Sequence, residues 1–332
     1  MNTTKGKTAI RRLTACGFLF AAACSSQGDP AGGGDAAVDP ATLCVASDCG
    51  EKTLLLTIAD AENLRFSDDG RLFVSGGSNV YEVTRDGDGY AATPLYAGSC
   101  NFTGLAIVRG TLYANCFDGR LYAAPLDAHP ALQPIHALGL HAPNGLAEGP
   151  DGELYVANGP LATNALPDPK IVRLRLDPAD PLKVSEQSDW LASGLIAPNG
   201  LQRRDRTLYV SDLGLSSRGS SLGVIRAIAI AADGSAGAVT PFARFGAVPD
   251  DFSFVGDALL AAFYSSGQIA LIGADGTVQS KTAALGFSFP SQVRAGRAPL
   301  FAPDELLVTE KGILGDTTSP IGNRLSVFRR KP

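Results

Sequence analysis

One segment type recurs through this 332-residue chain and limits its fold more than any other feature. An apolar start leads into a tight turn and then an apolar strand. The copies span residues 61–75, 102–115, 143–158, 198–212, 249–262 and, more loosely, 290–310. Each is followed by another alternating strand, at 79–86, 119–127, 170–177, 223–234, 267–276 and 323–330. Asp69-Gly70, Asp151-Gly152, Asp233-Gly234 and Asp275-Gly276 supply the turn chemistry that hairpins need. No segment keeps a period of 3.6 residues, so little helix is expected. Six units of about four strands each predict an all-β fold, a six-bladed β-propeller over residues 51–332. The chain stops after the third strand of unit six, and residues 53–60 form a strand with no partner before it. That N-terminal strand is expected to complete blade six, closing the ring and leaving no free sheet edge. An open sandwich array leaves it unexplained.

The first 23 residues read as an export signal. Lys5, Lys7, Arg11 and Arg12 form a basic start, and the run Leu13–Ala23 is too short to span a bilayer. Ala21-Ala22-Ala23-Cys24 is a lipobox pattern, so Cys24 is the expected lipidated N-terminus. Cys16 is the rival position, but Arg11 and Arg12 stand where its apolar core belongs. Arg11-Arg12 also fits twin-arginine export. Residues 24–50 are expected to form the lipidated Cys and a tether, flexible over 25–43, where there is little to bury. Ser25 and Ser26 carry no retention-type Asp, so the outer membrane of a bacterial envelope is the expected destination. Contact with the membrane would be through the lipid alone.

The formal charge is −5, and removing a signal with four Lys/Arg and no acid leaves about −9. With no basic cluster, a nucleic-acid partner is not expected. A monomer is. Besides Cys16 and Cys24 the chain has Cys44, Cys49, Cys100 and Cys116. An even number in an oxidising compartment suggests two disulfides, the alternative being four buried thiols. Cys100 and Cys116 flank a hairpin symmetrically and are expected to pair, leaving Cys44 with Cys49.

Aligning the six copies on their first apolar residue brings one polar position into register. It holds Glu62, Thr103, Asn144, Asn199, Asp250 and Ser291. In a propeller the first strand of each blade lines the central channel, so these side chains are expected around one mouth. The loops after strand two are long in blades three (159–169), four (213–222) and six (310–322), on the same face. Carboxylates and amides without thiols fit a hard divalent cation, calcium before magnesium. Glu62, Asp250 and Asp251 supply charge; Asn144 and Asn199 supply neutral oxygens. The bland reading is that Asn-Gly and Pro-Asp are turn dipeptides.

The repeated APNGL with LYV, a leading Glu and a later PD resemble the gluconolactonase, luciferin-regenerating-enzyme and senescence-marker-protein family. They are more distantly similar to paraoxonases and strictosidine-synthase-like propellers. The resemblance implies a metal held by Glu62, Asn144, Asn199 and Asp250, and the paraoxonase-like pattern adds the next residue, here Asp251 instead of Asn. It departs from the family at Glu62-Asn63-Leu64 and Pro249-Asp250-Asp251. The paraoxonase histidine pair is missing too; of His129, His136 and His141, only His141 comes near the mouth, three residues before Asn144. The implied chemistry is hydrolysis of a small lactone or ester, with Asp250 or Asp251 as general base. No GxSxG elbow, Cys-His pairing or phosphate loop competes. The second reading is a noncatalytic binding or scaffold propeller, in which Asn144 and Asn199 are only turn residues.

Overall fold

The computed structural model describes residues 38–159, 165–214 and 221–331. Cys16, Cys24, the signal segment and tether residues up to 37 lie outside the described residues. Within them, sequence-adjacent strands pair antiparallel into six four-stranded sheets. Blade one is β2 (Leu64–Phe66), β3 (Leu72–Gly76), β4 (Asn79–Asp86) and β5 (Gly89–Pro94). Blade two is β6 (Phe102–Val108), β7 (Thr111–Cys116), β8 (Arg120–Pro125) and β9 (Gln133–Ala137). Blade three is β10 (Pro143–Glu148), β11 (Leu154–Asn158), β12 (Lys170–Leu176) and β13 (Val184–Leu191). Blade four is β14 (Leu201–Arg204), β15 (Thr207–Leu213), β16 (Gly223–Ile230) and β17 (Ala236–Phe245). Blade five is β18 (Pro249–Val255), β19 (Ala258–Phe263), β20 (Gln268–Ile272) and β21 (Val278–Lys281). Blade six is β22 (Pro290–Ala295), β23 (Leu306–Glu310), β24 (Arg324–Arg330) and β1 (Gly50–Thr57).

The expected closure is present: β1 pairs antiparallel with β24, from Gly50 opposite Arg330 to Thr57 opposite Arg324. Burial explains the sequence pattern. Inner strands such as β19 and β22 are buried at every position; β19 reads as an unbroken apolar run, while β22 also carries the buried polar side chains of Gln292 and Arg294. Outer strands such as β21 are largely exposed and polar. Each neighbouring pair of blades shares one apolar cluster, including Phe66, Leu72 and Val74 against Leu307, Leu325 and Val327 between blades one and six. The Asp-Gly turns hold Gly70, Gly152, Gly234 and Gly276 at φ of 79–86°, where a Cβ would be strained. Helix among the described residues is confined to two 3-10 turns. No helix there is long and apolar enough to cross a membrane.

The tether expectation needs correction at its C-terminal end. Val38, Leu43, Cys44 and Val45 are buried in the cluster shared by blades five and six. Arg330 donates to the Thr42 carbonyl at 3.0 Å, and Lys331 N–H to the Cys49 carbonyl at 3.0 Å. Four apolar side chains hidden among 38–45 offset the ordering cost that composition alone seemed to forbid.

Both disulfides pair as expected. Cys44–Cys49 has a Cα separation of 5.7 Å and Cys100–Cys116 one of 6.2 Å. The second closes a loop of sequence separation 16, which by loop-closure entropy contributes about 3 kcal/mol. Cys100→Ala should therefore lower the unfolding free energy by about that amount. Denaturant titration checks it, and an unchanged midpoint would show that the bridge does not constrain the chain.

Candidate metal centre

The inner strands are interrupted where they reach the mouth. Register shifts fall between Phe102 and Leu105, Pro143 and Leu146, Pro249 and Phe252, and Pro290 and Gln292. These β-bulges contain Thr103, Asn144, Asp250 and Ser291, and a bulge re-aims a side chain that strict alternation would send into the blade. In blades one and four the ladder resumes at Leu64 and Leu201, just after Glu62 and Asn199. So the aligned polar position is one structural position in all six blades.

Strand two of a blade grips the next blade at this level. Ser75 donates to the Thr103 carbonyl at 2.5 Å, Asn115 to the Asn144 carbonyl at 2.8 Å and Thr309 to the Glu62 carbonyl at 2.6 Å. Ser211 donates likewise to the Asp250 carbonyl. Packing is tight enough to demand glycine. A Cβ on Gly145 would lie 2.1 Å from the Asn199 carbonyl oxygen, and one on Gly104 2.3 Å from that of Asn144. This replaces the turn-dipeptide reading: Asn144-Gly145 lies on β10, and its glycine makes room for the neighbouring blade.

Not every aligned residue opens onto the mouth. A cavity of about 560 Å³ is lined by Asp60, Glu62, Asn144, Asn199, Asp250 and Lys311, with Phe117, His141, Val248, Tyr264 and Leu314 among its walls. The four expected ligands Glu62, Asn144, Asn199 and Asp250 are thus brought together, and exposed His141 reaches the rim. Thr103 is fully buried and donates to the Pro143 carbonyl at 2.8 Å, so it serves the blade contact. Asp251 lies away from the cavity lining. It accepts from Asn63 at 3.0 Å, Gln292 at 2.7 Å, its own neighbour's Phe252 N–H at 2.7 Å and Gln202 at 3.4 Å. Gln202 in turn accepts from Arg294 at 2.9 Å. These buried polar side chains form a layer inside the ring.

Two mouth residues had escaped the repeat alignment. Lys311 pairs with Asp60 at 3.0 Å and with Glu62 in a very close contact. Asp60 stands two residues before Glu62 in the turn between β1 and β2, with a left-handed φ of 51°, outside the strand register that the alignment compares. Lys311 follows β23 of blade six, a register the inner-strand alignment never compares.

The electrostatics follow from burial. Burial raises the Glu62 pKa, against the pull of Lys311. Burial, then repulsion from Glu62, raises Asp250 well above the ordinary carboxylate range. Burial pushes Asp251 up to about 7. Burial works against the Lys311 ammonium, yet Glu62 and Asp60 outweigh it and hold its pKa above the usual lysine value. With all groups ionised, Asp60, Glu62, Asp250 and Lys311 sum to −2. Two crowded carboxylates, two amides and that residual charge fit a hard divalent cation. Among the described residues, the cluster of three His, Cys, Asp or Glu ligand atoms is Cys100, Cys116 and Asp118; its cysteines are disulfide-bonded, so it offers no thiolate.

Comparison with solved structures places the fold. A gluconolactonase from Xanthomonas campestris superposes with a TM-score of 0.62 at 19% identity, covering 92% of this chain and 96% of that one. A putative gluconolactonase gives 0.63 at 15% identity, covering 86% and 94%. A calcium-binding protein, regucalcin, from Agrobacterium tumefaciens gives 0.62 at 15% identity, covering 86% and 95%. The chain shares their six-bladed fold. This matches the resemblance expected from the APNGL and LYV repeats. No family model matches the chain, and no curated protein matches it in sequence.

Proposed function

We propose that this chain is a hydrolase of a small lactone or related ester, working with a divalent cation, calcium first, at the propeller mouth. The observation carrying this reading is the convergence of Glu62, Asn144, Asn199 and Asp250 on a cavity whose mouth groups sum to −2. The neighbours' names, a gluconolactonase and a calcium-binding protein, point the same way. When bound, the cation supplies Lewis-acid polarisation of the carbonyl and counter-charge for the developing oxyanion. Asp250 is the base. Its carboxylate lines the cavity and can take up the proton of an attacking water. Asn199 donates to Asp250 and orients that carboxylate. Phe117, Val248 and Leu314 give the substrate an apolar wall that excludes water. Asp251, with four donors around it, holds the layer beneath instead of sharing the base role.

The protein is further proposed to be exported, lipidated at Cys24 and held at the bacterial outer membrane, on the strength of its N-terminal pattern. A noncatalytic binding propeller is the second reading, favoured by one observation: Glu62 already has an internal counter-ion in Lys311. An assay on aldonolactones, acyl lactones and aryl esters separates the two. At least one substrate should turn over, stop with chelator and resume with calcium. No turnover across the panel would leave the binding reading standing.

A further inference from the structure

The blade-six loop opens with Lys311, and its surroundings fix that side chain against blade one. Lys311 N–H donates to the Phe289 carbonyl at 3.1 Å, and its carbonyl accepts from Asn323 N–H at 3.4 Å. Gly312 and Gly322 meet across the loop base, where a Cβ on Gly322 would sit 2.2 Å from the Gly312 Cα. Tyr264, from the turn after the second strand of blade five, donates its phenol to the Gly312 carbonyl at 2.8 Å. The stem that leaves this pinned backbone is buried, and its ammonium ends on Asp60 and Glu62. Asp60 is held in turn by the Asn323 side chain, which accepts from its N–H at 2.7 Å. A solvated surface lysine needs none of these restraints.

The ammonium therefore occupies Glu62, one of the four oxygen ligands, with a fixed positive charge. An arriving divalent cation would share that carboxylate with it and meet its repulsion, where burial leaves little screening by salt. Without Lys311 the mouth holds three carboxyl groups and no fixed positive charge to oppose a cation. We infer that Lys311 is an internal competitor for the metal: it holds Glu62 and Asp60 together in the metal-free protein and sets the cation affinity low. This rests on the reading of the mouth as a divalent-cation site. Such a site fills only where free cation is abundant. Extracellular calcium modules work in that regime, with dissociation constants of about 10⁻⁴–10⁻³ M.

The test is calorimetric titration of calcium chloride into chelator-treated, purified protein, with thermal melts alongside. Lys311→Met should bind calcium at least tenfold more tightly than wild type, and Lys311→Arg, which keeps the charge, should stay weak. The Met variant should also melt lower without calcium and gain more from it, because its carboxylates have lost their partner. If the Met variant fails to fold, Lys311→Gln carries the same expectation. Binding by wild type with equal or weaker binding by the neutral variants would overturn the competitor role and leave the metal site intact. Neither heat nor melting shift in any of the proteins would overturn both.

Discussion

Asp250→Asn is expected to cut lactone or ester turnover about 10²–10³-fold while leaving the propeller folded, the scale of losing one transition-state contact in a water-excluded site. The carboxylate is lost, but the size and the contact with Asn199 are kept. Asn144→Ala and Asn199→Ala should fall in the same range, since each removes an amide that lines the cavity. Thr317→Ala is the proper control: it lines the same cavity without belonging to the ligand set. Thr103 is unsuitable, because its hydroxyl ties blade two to blade three. Initial rates for the four variants, with melting curves beside them, check the expectation. Losses no larger than that of Thr317→Ala would move the chemistry away from this ring.

The second large effect lies beneath the mouth. Arg294 is buried, donates to the Leu64 carbonyl at 2.8 Å and to Gln202, and its charge favours ionised Asp251. Arg294→Met should cost about 3–5 kcal/mol at pH 8, the usual penalty for stripping a buried charge of its partner. The pH dependence gives this away. Burial raises Asp251 from an ordinary 3.8 to about 7 in the folded state. Its contribution to stability is therefore fully present below pH 3.8 and is lost as pH rises through about 7. Without Arg294 that loss should deepen. At pH 4 Asp251 is protonated and the variant's deficit should shrink to that of its lost hydrogen bonds, those to Leu64 and Gln202 among them. Urea unfolding at both pH values measures it. An equal deficit at pH 4 and pH 8 would show that Arg294 acts independently of the Asp251 charge.

How far the sequence reached depends on what kind of signal each feature leaves. The blades were legible because β19-type runs such as Ala258–Phe263 are buried throughout and recur once per blade. The closing strand was legible because residues 53–60 had no local partner. The ring was legible in part, since one repeat position maps to the mouth end of the inner strand in every blade, at a bulge in four of them. Alignment could not separate Glu62 and Asp250, which face the cavity, from Thr103, which grips its neighbour. It also placed Asp251 beside Asp250, although successive residues on a strand point opposite ways. Lys311 was invisible for a different reason: it crosses from the second strand of blade six to blade one, a contact spanning 249 residues. The docking of 38–45 was masked by composition, because the Gly- and Asp-rich stretch before it hides the few apolar residues that settle on blades five and six.

The central claim is that the mouth holds one divalent cation in a catalytic arrangement. A crystal of the purified protein grown with manganese as an anomalous stand-in for calcium tests this most directly. One anomalous peak is expected among Glu62, Asn144, Asn199 and Asp250, with an open coordination position turned toward the cavity. No peak there, or an ion fully enclosed by protein oxygens, would contradict it.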